Sequence, residues 1–139
     1  MHRVLVIDDL SSVRTAIRLM LEHLDLHVEE AANGQEGIRC ARQHLPDLML
    51  CDLEMPVMDG FQTLELARND PALAKVPIIV VSGILSADTK REVIAMGASA
   101  VLEKPFTLAD LSSLVQRHLE SSGAGPDPHA LDTTGRLRP

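Results

Sequence analysis

Five strand-like segments, each followed by residues with helical periodicity and three of them (4–7, 48–51 and 78–81) apolar without polar alternation, narrow sharply what this chain can become. The first, Arg3-Val4-Leu5-Val6-Ile7, is apolar at successive positions and stops at Asp8-Asp9. A strand buried on both faces reads this way, whereas a half-exposed strand alternates. Val13, Ile17, Met20, Leu21 and Leu24 then recur at steps of three and four, with Arg14, Arg18 and Glu22 between them. That spacing predicts an amphipathic helix, with Ser11-Ser12 as its cap candidates.

The alternation repeats. Residues 26–31 predict a second strand, and Asn33-Gly34 marks a turn into a helix over about 35–43. Residues 47–52 form a third buried strand ending on Asp52, and Asp59 is placed to cap a helix reaching to about Asn69. Ile78-Ile79-Val80-Val81-Ser82 is the most strand-like segment, followed by a helix over about 86–96 that stops at Gly97. Residues 100–103 make a short fifth strand. Thr107 with Asp110 resembles a capping box opening a last helix, whose apolar face is Leu108, Leu111, Leu114, Val115 and Leu119.

Each strand–helix–strand crossover is right-handed and returns to the same sheet. Five such units predict a doubly wound α/β fold, a parallel sheet with helices on both faces. The length, 139 residues, suits one domain. Residues 1–120 are expected to form it. Residues 121–139 are rich in Gly, Ser, Pro and Asp with only two Leu, and are expected to be a flexible tail or truncated linker. With 2 Phe and neither Tyr nor Trp, the core must be built from aliphatic and Met side chains.

Composition removes several function classes. Cys40 and Cys51 have no metal-ligand or disulfide spacing, so reduced thiols in a cytoplasmic protein are expected. The N-terminus runs straight into a strand, leaving no room for a signal segment, and no apolar stretch is long enough to span a membrane. The formal charge of −7 disfavours direct nucleic-acid binding and suits a partner with a basic surface.

In an open parallel sheet the functional crevice lies at the carboxyl ends of the strands. The residues there are Asp8-Asp9, Asp52, Ser82 and Lys104. Three carboxylates on one edge raise one another's pKa unless a cation relieves them, which implies a divalent ion; an all-oxygen donor set suits Mg²⁺. Lys104 is a point charge able to pair with a phosphoryl oxygen or a carboxylate, and Ser82 can donate a hydrogen bond. Asp52, between the acidic pair on one side and Ser82 and Lys104 on the other, is placed to attack phosphorus.

The segments Val6-Ile7-Asp8-Asp9, residues 47–60 (through Asp52-Leu53-Glu54-Met55-Pro56), Pro77 to Gly83 and Lys104-Pro105-Phe106 resemble a response-regulator receiver domain over residues 2–120. The resemblance implies a flavodoxin-like strand order 2-1-3-4-5. It also implies that Asp52 accepts phosphate from a histidine kinase or phosphotransfer protein. Asp9 and Asp52 would ligate Mg²⁺ directly, Asp8 through water, and the Glu54 backbone carbonyl would complete the protein ligands. Lys104 would hold the phosphoryl group beside a Lys104-Pro105 bond that is usually cis, and Ser82 fills the family's Ser/Thr position. Such a protein is a monomer or weak dimer that assists its own Mg²⁺-dependent phosphotransfer and dephosphorylation and signals to a downstream partner.

The family commonly has Tyr or Phe three residues before the lysine, where this chain has Val101. A degenerate receiver that only binds proteins is the alternative. An aspartate-based phosphatase fits less well, because such enzymes place paired aspartates two apart after the first strand. Singly, each site residue has a plainer explanation: Asp8-Asp9 as a cap, Ser82-Gly83 as a turn, Lys104 as a solvated charge. His23, His27, His44 and His118, in helices or at their ends, share no ligand spacing and are expected at the surface. Met55 and Met58 are expected to pack, and Cys51 to point into the core, away from Asp52.

Overall fold

The computed structural model describes residues 1–83 and 85–123, with only the backbone of 121–123. In chain order the elements are β1 (Arg3–Ile7), α1 (Ser11–Glu22), β2 (His27–Ala31), α2 (Gly34–Gln43), β3 (Leu48–Cys51), α3 (Gly60–Asn69), β4 (Ile78–Ser82), α4 (Ala87–Ala95), β5 (Ala100–Glu103) and α5 (Leu108–Gly123). All five strands pair in parallel in the order β2-β1-β3-β4-β5, the order the resemblance implied. α5 runs three residues past the expected domain end. The expected tail lies outside the described residues from 124 on.

The unalternating strands are explained by two apolar layers. Val4, Val6, Leu48, Leu50, Ile79, Val81 and Leu102 pack with Ile17 and Leu21 of α1 and Leu111, Val115 and Leu119 of α5. Leu5, Ile7, Met49, Cys51, Ile78 and Val80 face the other way, onto Ile38 and Ala41 of α2, Leu64 and Ala67 of α3 and Val93 of α4. Alternate strand side chains point to opposite faces, so burial on both sides demands an apolar residue at every position.

The helix starts follow local chemistry with one exception. Asn33 caps α2 by accepting from the Glu36 N–H, so Asn33-Gly34 begins the helix and is not a separate turn. Asp59 and Gln62 form a reciprocal capping box on α3, Ser86 caps α4, and Thr107 and Asp110 cap α5 reciprocally. The expectation of Ser11-Ser12 as the α1 cap is corrected: both lie inside α1, and Leu10 stands at the cap with no side-chain bond. The adjacent acid does related work, since Asp8 Oδ1 accepts from the Leu10 N–H at 3.0 Å. His27 is likewise corrected from a helix end to the first residue of β2.

Candidate functional site

At the carboxyl edge of the sheet the chain leaves β1 into Asp8-Asp9, β3 into Asp52 and β5 into Lys104, while β4 ends on Ser82. The register sets these ends side by side, with Ile7 opposite Cys51 and Ser82 opposite Glu103. Asp8 continues the alternation of Val4 and Val6, Asp52 that of Leu48 and Leu50, and Lys104 that of Leu102, all members of the α1/α5 layer. The three side chains therefore converge on one side of the sheet edge.

Lys104 Nζ donates to Asp8 Oδ2 at 2.9 Å and stands 3.5 Å from Asp52 Oδ2. One carboxylate oxygen from each of Asp8, Asp9 and Asp52 lies within 4.8 Å of the others. Asp8 and Asp52 are buried and Asp9 is exposed. Among the described residues the histidines do not gather into such a group. His118 Nδ1 lies 2.9 Å from the Leu114 carbonyl, and His2 and His27 face Asp47 and Glu29 respectively.

Burial lifts the Asp52 carboxyl above its ordinary value, and the negative charge of Asp8 adds to that; the Lys104 ammonium and the Leu53 and Glu54 N–H groups pull the other way. The Leu53 N–H donates to Asp52 Oδ1 at 2.8 Å. Burial also works against the charged form of Lys104. The hydrogen bond to Asp8 and the charges of Asp52 and Asp8 outweigh it and hold the ammonium above its ordinary value. The pocket thus keeps a cation between two buried carboxylates.

Ser82 is buried at the end of β4, and its carbonyl accepts from the Lys104 N–H at 2.9 Å. Glu54 lies in the loop after β3 with its side chain exposed, and the Lys104-Pro105 bond is cis. Cys51, on the opposite face from Asp52, is buried in the α2/α3/α4 layer, where burial pushes its thiol well above the usual range. Val101 is half-buried and packs against that same layer. Met55 is buried there too.

The loop from Asp52 to α3 is tightly folded. The Met58 N–H donates to the Pro56 carbonyl at 2.8 Å, closing a three-residue turn whose centre, Val57, has φ 72° and is 72% exposed. A β-branched residue with positive φ is strained. The Gly60 N–H donates to the Leu53 carbonyl at 2.8 Å, and a Cβ on Gly60 would fall 2.3 Å from the Asp52 carbonyl oxygen. Glycine at 60 therefore permits α3 to start directly against the Asp52 backbone.

Arg14, Arg18 and Glu30 lie beside this pocket, and sequence reasoning placed the two arginines only on the polar face of α1. Arg14 Nε donates to Glu30 Oε1 at 3.0 Å, Arg14 Nη1 to the Asp8 carbonyl at 2.6 Å and Arg18 Nε to Glu30 Oε2 at 2.7 Å. Glu30 is 16 and 12 residues from these partners, so no local spacing announces the cluster.

A doubly wound sheet with an acidic pocket and a lysine at its carboxyl edge is the architecture of a signal-receiver module. The chain belongs to the response regulator receiver domain family, whose pattern matches residues 4–116. It is 35% identical over 125 residues to the transcriptional regulatory protein PrrA of Mycobacterium tuberculosis, covering 88% of this chain and 52% of that protein. The chain spans about half or less of the length of the curated relatives it matches. Among solved structures, the chemotaxis protein CheY4 of Vibrio cholerae superposes with a TM-score of 0.80 at 33% identity, over 84% of this chain and 98% of that one. The receiver domain of a sensor histidine kinase from Pseudomonas aeruginosa, solved with a magnesium ion coordinated in its active-site cleft, gives 0.79 at 31% identity, over 86% and 98%. Among the described residues no helix is long and apolar enough to cross a membrane.

Proposed function

We propose that this receiver domain is a phosphorylation-dependent switch in which Asp52 takes a phosphoryl group from a histidine kinase or a histidine phosphotransfer protein. The observation that carries this reading is Lys104 held between the buried carboxylates of Asp8 and Asp52, with Asp9 completing the acidic group. In the transfer an Asp52 carboxylate oxygen forms a bond to phosphorus. The bond from phosphorus to the donor imidazole nitrogen breaks, and the imidazole leaves with its electron pair.

The donor set fits Mg²⁺: three carboxylates with only oxygen ligands, two of them buried, against a single ammonium. Asp9 and Asp52 would hold the ion directly, Asp8 through water, and the Glu54 carbonyl would supply the third direct protein oxygen. When bound, the ion supplies positive charge against the phosphoryl oxygens. Lys104 exchanges its carboxylate partner for a phosphoryl oxygen, and Ser82, at the neighbouring strand end, donates its hydroxyl to another. The domain turns over no foreign substrate; it assists its own loading and hydrolysis.

The partner on the input side is a phosphohistidine protein, and a downstream protein reads the loaded form. The free thiols of Cys40 and Cys51 support a cytoplasmic site of action.

Intact mass after incubation with Mg²⁺ and acetyl phosphate tests the reading. A single phosphoryl adduct in the parent that is absent from Asp52→Ala is expected. No adduct in the parent would favour a degenerate binding module, and many turnovers of unrelated phosphomonoesters would favour a phosphatase.

A further inference from the structure

The β1 ladder ends where the acidic pocket begins. The Ile7 carbonyl still accepts from the Asp52 N–H at 3.0 Å, and the Asp8 N–H still donates to the Ala31 carbonyl at 3.1 Å. The next carbonyl, that of Asp8, lies past the ladder and receives Arg14 Nη1 at 2.6 Å. This carbonyl belongs to the peptide unit joining Asp8 to Asp9. Because that unit is planar, holding its oxygen sets the direction in which the chain presents both carboxylates.

Arg14 is itself held. Its Nε donates to Glu30 Oε1 at 3.0 Å, while the other oxygen of Glu30 is taken by Arg18 Nε at 2.7 Å. Arg14 is 16% exposed at its side chain, and the planar fork of its guanidinium spans Glu30 on β2 and the Asp8 carbonyl at once. Its position four residues into α1, one turn below the Asp8-Asp9 bend, brings it there.

We infer that Arg14, clamped by Glu30, is a positioning residue that aims Asp8 and Asp9 for cation binding. The inference rests on the Mg²⁺ part of the function proposed above and extends it to residues that touch neither metal nor phosphoryl group. Outer partners that orient metal ligands typically matter by about 10–100-fold in affinity when removed.

The sign of the effect separates this role from simple electrostatics. Arg14 is a cation near a cation site, so by charge alone its removal tightens Mg²⁺ binding. Loss of positioning weakens it.

The test is a titration of the full chain with MgCl₂ alone, followed by the amide NMR signals of Asp9 and Asp52, in the parent, Arg14→Met and Arg14→Lys. Methionine keeps an unbranched stem and a good helix propensity. The expected result is a Kd about tenfold weaker in Arg14→Met, with Arg14→Lys in between because lysine keeps the charge but lacks the fork. A Kd in Arg14→Met equal to or tighter than the parent's overturns the inference. If Arg14→Met does not fold, the decision passes to Arg14→Lys, where a weaker Kd supports the role and an unchanged Kd overturns it.

Thermal melts in EDTA are run beside the titration. A melting temperature lowered with unchanged Mg²⁺ affinity assigns Arg14 to fold stability only and overturns the positioning role. A parent that binds no Mg²⁺ at all contradicts the proposed function itself, an outcome distinct from equal affinities in parent and variants.

Discussion

Lys104 sits closer to Asp8 than to Asp52: its Nζ is 2.9 Å from Asp8 Oδ2 and 3.5 Å from Asp52 Oδ2. The carboxylate proposed as the phosphoryl acceptor is therefore the less fully neutralised of the two. Burial and Asp8 keep its pKa raised in spite of Lys104.

That imbalance makes Asp52→Asn a stabilising change. A carboxylate whose folded pKa is raised costs nothing below its unfolded pKa, and its ionisation destabilises the fold as pH rises through the folded value. Removing it should raise Tm by a few degrees at pH 7, with the gain shrinking as pH falls toward the ordinary aspartate range. Thermal melts from pH 3.5 to 7.5 in EDTA check this; a gain that is constant with pH would show that Asp52 ionisation is not its source.

Gly60→Ala should cost about 1–3 kcal/mol, the range for forcing a methyl into a packed site. The new Cβ would meet the Asp52 carbonyl oxygen at 2.3 Å and Leu53 Cα at 2.7 Å, both backbone atoms that cannot rotate away. Urea unfolding measures the loss. Because the Asp52 backbone must shift, phosphorylation by acetyl phosphate should slow as well, and an unchanged rate would separate α3 packing from the pocket.

Val57→Gly should stabilise the domain by about 1 kcal/mol. Valine at φ 72° carries left-handed strain of roughly 1–2 kcal/mol, and at 72% exposure it has little packing to lose. Part of the gain is offset by the extra freedom glycine gives the unfolded chain. Equal urea midpoints for the two proteins would mean that the three-residue turn holds little strain.

Glu30 links the α1 network to acid stability. Burial alone would raise its pKa, but the hydrogen bonds and charges of Arg18 and Arg14 together lower it. A lowered folded pKa gives stability that is present above the unfolded value near 4.5 and lost as pH falls through the folded one. Glu30→Gln should therefore be less stable than the parent at pH 7, by about 1 kcal/mol or less because this half-exposed cluster is screened by solvent, and equal to it in strong acid. Paired denaturation curves at pH 7 and pH 3 read this directly.

The fold was largely legible because its signals are local. Unbroken apolar runs at 4–7, 48–51 and 78–81 in β1, β3 and β4 report burial on both faces, and Asp59, Ser86 and Thr107 with Asp110 mark helix starts through bonds that reach three residues. The α1 start was misread because Ser11 and Ser12 suit a cap, while the chain bends one residue earlier, where the Asp8 side chain takes the Leu10 N–H. Strand ends also predicted which acids, hydroxyl and amine share one edge, since strand direction and side-chain alternation follow from sequence order once the sheet is parallel.

Distances and partner choice belong to the tertiary structure. Lys104 and Asp8 are 96 residues apart, and nothing in the chain says that the lysine sits closer to Asp8 than to Asp52. Arg14 and Arg18 look like ordinary solvated charges until β2 carries Glu30 beneath them. Gly60 reads as a generic helix start until the Asp52 carbonyl is seen against it. The sequence by itself determined the alternation of elements, the two-faced burial of the strands and the identity of the groups at the sheet edge, because each is written in the periodicity of neighbouring residues. Only the folded chain decided which charges touch, because such contacts depend on packing between segments that no short-range pattern encodes.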